Sequence, residues 1–280
     1  MNNERWRTTK PSELATPGLV ATILIVSFLL VLFATESGRQ PGAQQLPVQA
    51  ELFGIYHADM LVGWGSVSKP RRERTPHGAI DIVSCATNFR FLTQTGSPRY
   101  YETETAYEVP TAKPLHFTGR FYTRRSPTQE QVKVWECFVR QSEIIWQERG
   151  DQWQVVAERN FDTQGMSVFL LHKYSMGSWE YLLRRLDRTE DGLVPAEVSV
   201  FDVESCALSR IVCSQMESVY ADVGNGKDFY WLVQFGPNAI GYVHPLTLRL
   251  DQLIFTRDRL TLRREDVGLF EQFPTEPSYY

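Results

Sequence analysis

The sequence predicts an α+β to mainly β protein: a single N-terminal transmembrane helix, then a largely antiparallel, β-rich extracytoplasmic domain with one or two helices. Three observations predict it. Leu14 to Thr35 contains no charged residue. Beyond that run, short β-compatible segments alternate with turn residues, and their connections are too short for βαβ crossovers. Only one later stretch keeps a clear helical period.

Residues 1–17 read as a short cytoplasmic tail and 18–35 as the span, with Leu19, Ile23, Val26, Leu30 and Phe33 along it. At about 1.5 Å per residue, some 20 residues cross a hydrocarbon core of roughly 30 Å. Only Thr22 and Ser27 interrupt the apolar surface, and a helix apolar all round belongs in lipid or deep inside a large protein. A cleaved export signal is the alternative, with Ala34 at the cut, but Leu32 stands where a small residue is expected. Arg5, Arg7 and Lys10 precede the span and only Arg39 follows closely. That asymmetry keeps the N-terminus in the cytoplasm and sends the remainder across an inner membrane into the periplasm. Residues 36–49, rich in Gly, Pro and Gln, read as a flexible spacer.

Residues 50–270 carry the β-rich domain and 271–280 an extended aromatic tail. "YYETETAYEV" from Tyr100 alternates as a half-exposed strand does. "VKVWECFVRQSEIIWQERGDQWQVVAER" reads as one hairpin turning at Arg149-Gly150-Asp151, with Gly150 supplying positive φ and Trp146 facing Trp153 across it. "LTLRL" and "LTLRR" flank a second turn at Thr256–Arg259. The helical stretch is "SMGSWEYLLRRLDRTEDG", where Trp179, Leu182, Leu183 and Leu186 follow the i, i+3, i+4, i+7 spacing behind a possible N-cap at Ser178.

The chain of 280 residues carries a net charge of −4, which argues against a nucleic-acid partner. Its densest basic run, Lys69 to Arg74, reads as a solvated loop because Pro70 precludes a helix. Four cysteines, Cys85, Cys137, Cys206 and Cys213, permit disulfides in an exported domain with three possible connectivities. A turn at Ser209-Arg210 would bring Cys206 to Cys213, and Cys85 with Cys137 would staple two separate strands.

Catalytic signals are sparse. Ser66 to Lys69 spells SxxK, but Pro70 follows directly and the companion triplets of serine enzymes of that type are missing. His57, His77, His116, His172 and His244 are dispersed, without HExxH or an i, i+4 pair. His57 and Asp59 would share one face of a strand. Phosphate-binding glycine loops are absent, and Gly224 to Lys227 reads as a turn. No catalytic, cofactor or metal residue is assigned, and no cofactor is expected. The function expected from these features is a non-enzymatic membrane-anchored subunit or assembly scaffold of a membrane protein complex. Its partners would be membrane subunits and the bilayer. A membrane-tethered periplasmic hydrolase and an extracytoplasmic ligand-binding domain are the alternatives.

Overall fold

In the computed structural model the described residues are 50–89, 99–126, 129–150, 153–223 and 227–265, all within the unit Leu46–Phe273. The first half is an antiparallel meander: β1 (Ala50–His57), β2 (Met60–Ser68), β3 (Arg71–Thr75), β4 (Gly78–Phe89), β5 (Arg99–Glu108), β6 (Pro114–Ser126), β7 (Gln129–Val139), β8 (Glu143–Arg149) and β9 (Val155–Asp162). A short β10 (Val168–Leu171) leads to helix α1 (Met176–Leu183) and a two-residue pair, β11 (Arg188–Thr189) with β12 (Gly192–Leu193). A second meander follows: β13 (Ala196–Asp202), β14 (Ala207–Asp222), β15 (Lys227–Phe235), β16 (Ala239–Val243), β17 (Leu250–Phe255) and β18 (Leu260–Arg264).

Both meanders belong to one 16-stranded sheet in the order β10-β13-β14-β15-β16-β17-β18-β1-β2-β4-β5-β6-β7-β8-β9, with β3 pairing β4. β1 pairs β18 antiparallel, Phe53 opposite Arg264 and His57 opposite Leu260, so the two halves meet at the centre. β10 runs parallel to β13, and the other ladders are antiparallel. β9 and β10 are neighbours in sequence but stand at opposite ends of this order. Curling brings those ends together through side chains. Trp146 on β8 donates its indole N–H to the Val203 carbonyl at 3.1 Å. The Tyr101 hydroxyl donates to Glu204 Oε1 at 3.1 Å, and the rings of Phe161 and Phe201 meet at 4.9 Å.

The curled sheet wraps around α1, all eight of whose residues are buried. Tyr181 stacks on Tyr107 of β5 at 4.0 Å, while Trp179 sits edge-on to Phe235 of β15 at 5.3 Å and Phe255 of β17 at 5.9 Å. The remaining side faces β2 and β4, where a Cβ on Gly177 would lie 2.7 Å from a Val83 methyl. At its C-terminal end α1 is held by charge. Glu180 contacts Arg264, which also reaches Glu51 and donates to the Leu250 carbonyl at 2.9 Å. Glu180 in turn accepts the Leu250 N–H at 3.0 Å, and Asp251 receives Arg249 at 2.6 and 2.9 Å.

The expected fold is corrected in its first part. Among the described residues no helix is long and apolar enough to cross a membrane. At about 1.5 Å per residue an eight-residue helix spans only some 12 Å. The segment 18–35 with Leu19, Ile23, Val26, Leu30 and Phe33 lies outside the described residues, as do 1–17, 36–49 and 271–280. The β-rich, largely antiparallel part holds, but the helical share is one short α1. Its N-cap position is Ser175, not Ser178, and Ser175 makes no side-chain cap bond.

Three local readings also change. The hairpin at Gly150 is present, β8 pairing β9 antiparallel across it, but its first arm is shorter than read, because an earlier turn at Arg140–Glu143 separates β7 from β8. Trp146 faces Arg159, and the positive φ of the following turn falls on Trp153 (φ 59). Lys69–Arg74 is not a loop: Arg71–Thr75 forms the exposed strand β3, Arg72 pairing with Asp81 at 2.8 Å. The turn at Thr256–Arg259 stands as read, although its first arm starts only at Leu250. Gly224–Gly226 lies outside the described residues.

Gly63 shows how closely β2 and β4 approach: a Cβ there would stand 2.2 Å from the Asn88 carbonyl oxygen. Backbone cannot swing aside as a side chain can. Gly63→Ala is therefore expected to lower stability by about 1–3 kcal/mol, the range for overpacking, read as a lower urea midpoint with unchanged m-value.

Candidate functional site

At the end of the sheet where α1 begins, the strand ends leave a cleft of about 430 Å³. Its floor is apolar: Leu171, Trp179, Val200, Ile211, Phe235 and Phe255. β10, α1, β13, β14, β15 and β17 each contribute one of these, so the floor exists only because the sheet curls around the helix. Five of the six are buried, and Ile211 is partly exposed. The one floor donor, the Trp179 indole N–H, is already engaged by the Lys173 carbonyl at 3.1 Å.

The rim is charged and polar, with Lys173, Asp202, Asn238, Arg257 and Asp258. Lys173 forms an ion pair with Asp258 in the β17–β18 turn. Its ammonium also lies over the Phe255 ring at 5.1 Å and the Tyr174 ring at 5.4 Å, a placement that favours a cation on aromatic faces. Asp202 Oδ1 accepts the Glu204 and Ser205 N–H groups at 2.9 and 3.0 Å, shaping the β13–β14 turn. The Asn238 carbonyl accepts the Thr256 N–H at 3.0 Å, tying the two turns of the opposite wall together.

This arrangement can hold an apolar body beneath a polar or charged head. Its lining contains no histidine, cysteine or glutamate.

The residues singled out by sequence are scattered over the fold. Ser66 is buried in β2 while Lys69 is exposed beyond its end. An odd spacing on a strand turns the two side chains to opposite faces, so SxxK does not assemble. His57 ends β1 and Asp59 sits in the next turn at φ 67, off any common strand face. His116 stacks on Phe138 at 4.7 Å, and burial lowers its pKa. His244 lies 3.6 Å from Asp228, and His77 lies in the β3–β4 turn. Among the described residues no group of His, Cys, Asp and Glu is placed to hold a metal. Arg149 is turn chemistry: it contacts Glu136 at 2.5 Å and donates to the Trp153 carbonyl at 2.9 Å.

In this structure all four cysteines are free thiols. Cys206 precedes β14, and Cys213 lies seven residues further along the same continuous strand. At roughly 3.3 Å per residue that separation is about 20 Å, beyond any bridge. Cys85 sits beside Thr87 and the Tyr174 carbonyl near the start of α1, and burial pushes its thiol up to about 11. Burial pushes Cys213 up to about 12.

Sequence reasoning missed the cleft because its walls come from six distant segments. Trp179 was legible as a helical apolar residue, but nothing local marked it as a floor. It named His172 only among dispersed histidines, with no sign of its surroundings: the ring is fully buried between Tyr101 (ring distance 5.2 Å) and Tyr174 (5.8 Å), and neither ring nitrogen has a hydrogen-bond partner.

No known protein family matches the chain, and no curated protein matches it. Among solved structures it is similar to a β-barrel-like protein of a domain of unknown function, DUF1849, from Brucella abortus. That match has 11% identity and a TM-score of 0.42, and covers 78% of this chain and 95% of that one. A DUF1089 family protein from Pseudomonas aeruginosa is similar at 10% identity and TM-score 0.40, over 76% of this chain and 93% of its own.

Proposed function

We propose that the β-rich domain is a non-enzymatic binding module that takes a small amphipathic molecule in the cleft beside α1. The observation that supports this reading is the pairing of an apolar floor with a charged rim in a volume suited to a small ligand. The lining supplies attraction and orientation, through burial of the ligand's apolar part and ion pairing of its head. Lys173 and Asp258 would exchange their mutual contact for contacts with that head.

A titration with 1-anilinonaphthalene-8-sulfonate, an anionic amphiphile, tests the reading. Saturable one-to-one binding with quenching of tryptophan emission is expected, since Trp179 forms part of the floor. Ile211→Trp fills the cleft from a partly exposed position and is expected to weaken binding about tenfold or more, some 1.4 kcal/mol. Unchanged affinity in Ile211→Trp with a native fold would move the binding site elsewhere.

A docking role is the second reading. β9 ends the strand order, and it exposes Val155 and Val156 beside Trp153. An edge strand with apolar residues on both faces is a template for an added strand. This keeps the docking part of the sequence-based expectation and rests on nothing from residues 1–49.

A further inference from the structure

Resting on the cleft reading above, we infer that the ligand's head is anionic: a single apolar chain ending in a carboxylate, which takes Lys173 from Asp258 and is clasped by Arg257. The lining holds four charged side chains, Lys173, Asp202, Arg257 and Asp258. Of these, Lys173 is the one held against the floor. Its ammonium lies over the ring of Phe255, a floor residue, at 5.1 Å, and over the Tyr174 ring at 5.4 Å. Its backbone carbonyl accepts the indole N–H of Trp179, another floor residue, at 3.1 Å. The Lys173 side chain is 27% exposed, whereas that of its partner Asp258 is 43% exposed on the β17–β18 turn. Aromatic faces hold a cation where they would not hold a carboxylate. The positive member of the pair is therefore the fixed one, and the negative member is free to turn to water.

The other two charges favour the same sign of ligand. Asp202 has Oδ1 committed to the Glu204 and Ser205 N–H groups of its own turn, at 2.9 and 3.0 Å. Arg257 adjoins Asp258 in the β17–β18 turn and is exposed, and its guanidinium has no hydrogen bond or ion pair among the described residues. An incoming carboxylate thus meets a fixed ammonium and an uncommitted guanidinium, whose planar fork suits two parallel N–H···O bonds. An incoming ammonium would meet one carboxylate engaged by its own turn and another already paired with Lys173. Releasing Asp258 costs little, because an ion pair this close to water is weak.

Calorimetric titration of the full chain with octanoate, 1-octanol and octylammonium, each below its micelle concentration, tests the sign. At about pH 7.5 the first is negative and the third positive, while the shared chain makes the apolar contribution cancel in the comparison. Octanoate is expected to bind about tenfold tighter than octanol, the worth of one charge-assisted hydrogen bond, and octylammonium more weakly than octanol. Asp258→Asn frees Lys173 and should tighten octanoate about threefold or more, with octanol unchanged. Arg257→Gln should weaken octanoate about threefold to tenfold, again with octanol unchanged. Both side chains are exposed, so neither change threatens the fold.

Equal affinities for octanoate and octanol, tighter binding of octylammonium, an octanoate affinity moved by neither variant, or no binding of any of the three would overturn the anionic assignment. The cleft is judged separately by 1-anilinonaphthalene-8-sulfonate and Ile211→Trp. If that variant weakens the dye while octanoate and octanol bind alike, the cleft stands and only the charge assignment falls. If it leaves both dye and octanoate unaffected, the cleft reading falls and takes the assignment with it.

Discussion

Replacing Arg264 with leucine is expected to lower stability by about 3–5 kcal/mol, the cost of breaking a buried ion pair from one side. Arg264 is 4% exposed and joins three strands to the helix: it contacts Glu51 on β1 and Glu180 on α1, and it donates to the Leu250 carbonyl on β17. Burial lowers its pKa to about 10. Burial also raises Glu180 to about 7, with the Leu250 N–H pulling it back. Without Arg264 the Glu180 carboxyl faces Asp251 in an apolar interior with one N–H bond left. Urea unfolding would read the loss directly. The double variant Arg264→Leu with Glu180→Leu should recover much of it, because no unpaired charge remains on α1. A single variant that unfolds within 1 kcal/mol of the parent would show that apolar packing alone seats the helix.

Stability is also expected to fall as pH drops from about 6.5 towards 4, through His172. Burial lowers its folded-state pKa to about 4, against an ordinary value of 6.5. Between those values the unfolded chain binds the proton and the folded chain does not, so acid favours unfolding. The stabilisation is complete above about pH 6.5 and lost progressively below it, a loss of roughly 3 kcal/mol by pH 4. His116 is lowered by burial too, and carboxylates add their own slope. The comparison between parent and His172→Phe isolates the one residue. Phenylalanine suits the surrounding rings of Tyr101, Phe117 and Tyr174. Urea midpoints taken from pH 7 to 4.5 should diverge, the variant losing less. Parallel curves would mean that His172 is protonated inside the fold.

Much of the local structure was legible because it is written at short range. The alternation from Tyr100 marks β5, and the polar Thr256–Arg259 break marks the β17–β18 turn. The spacing of Trp179, Leu182 and Leu183 marks α1. What was hidden depends on closure. α1 is surrounded on all sides, yet its sequence has the one-sided apolar pattern of a surface helix, because Ser178, Glu180 and Tyr181 are buried too, the last two bonded to Leu250 and Asp81 far along the chain. The Arg140–Glu143 turn carries no glycine or proline and so gave no signal. The cleft and the Arg264 network each join residues far apart in the chain, and no periodicity reports such pairs.

The pairing of β1 with β18 has a consequence for how the chain could be rearranged. Because Phe53 lies opposite Arg264, the first and last strands of the domain are neighbours, while β9 and β10 part company at the exposed Gly165 turn, where φ is 74. Joining Arg264 to Ala50 by a short linker and opening the backbone at Gly165 would give a circular permutant. Its strand order in space would then run almost as its strand order in sequence, and the most distant contact of the natural connectivity would become a local hairpin.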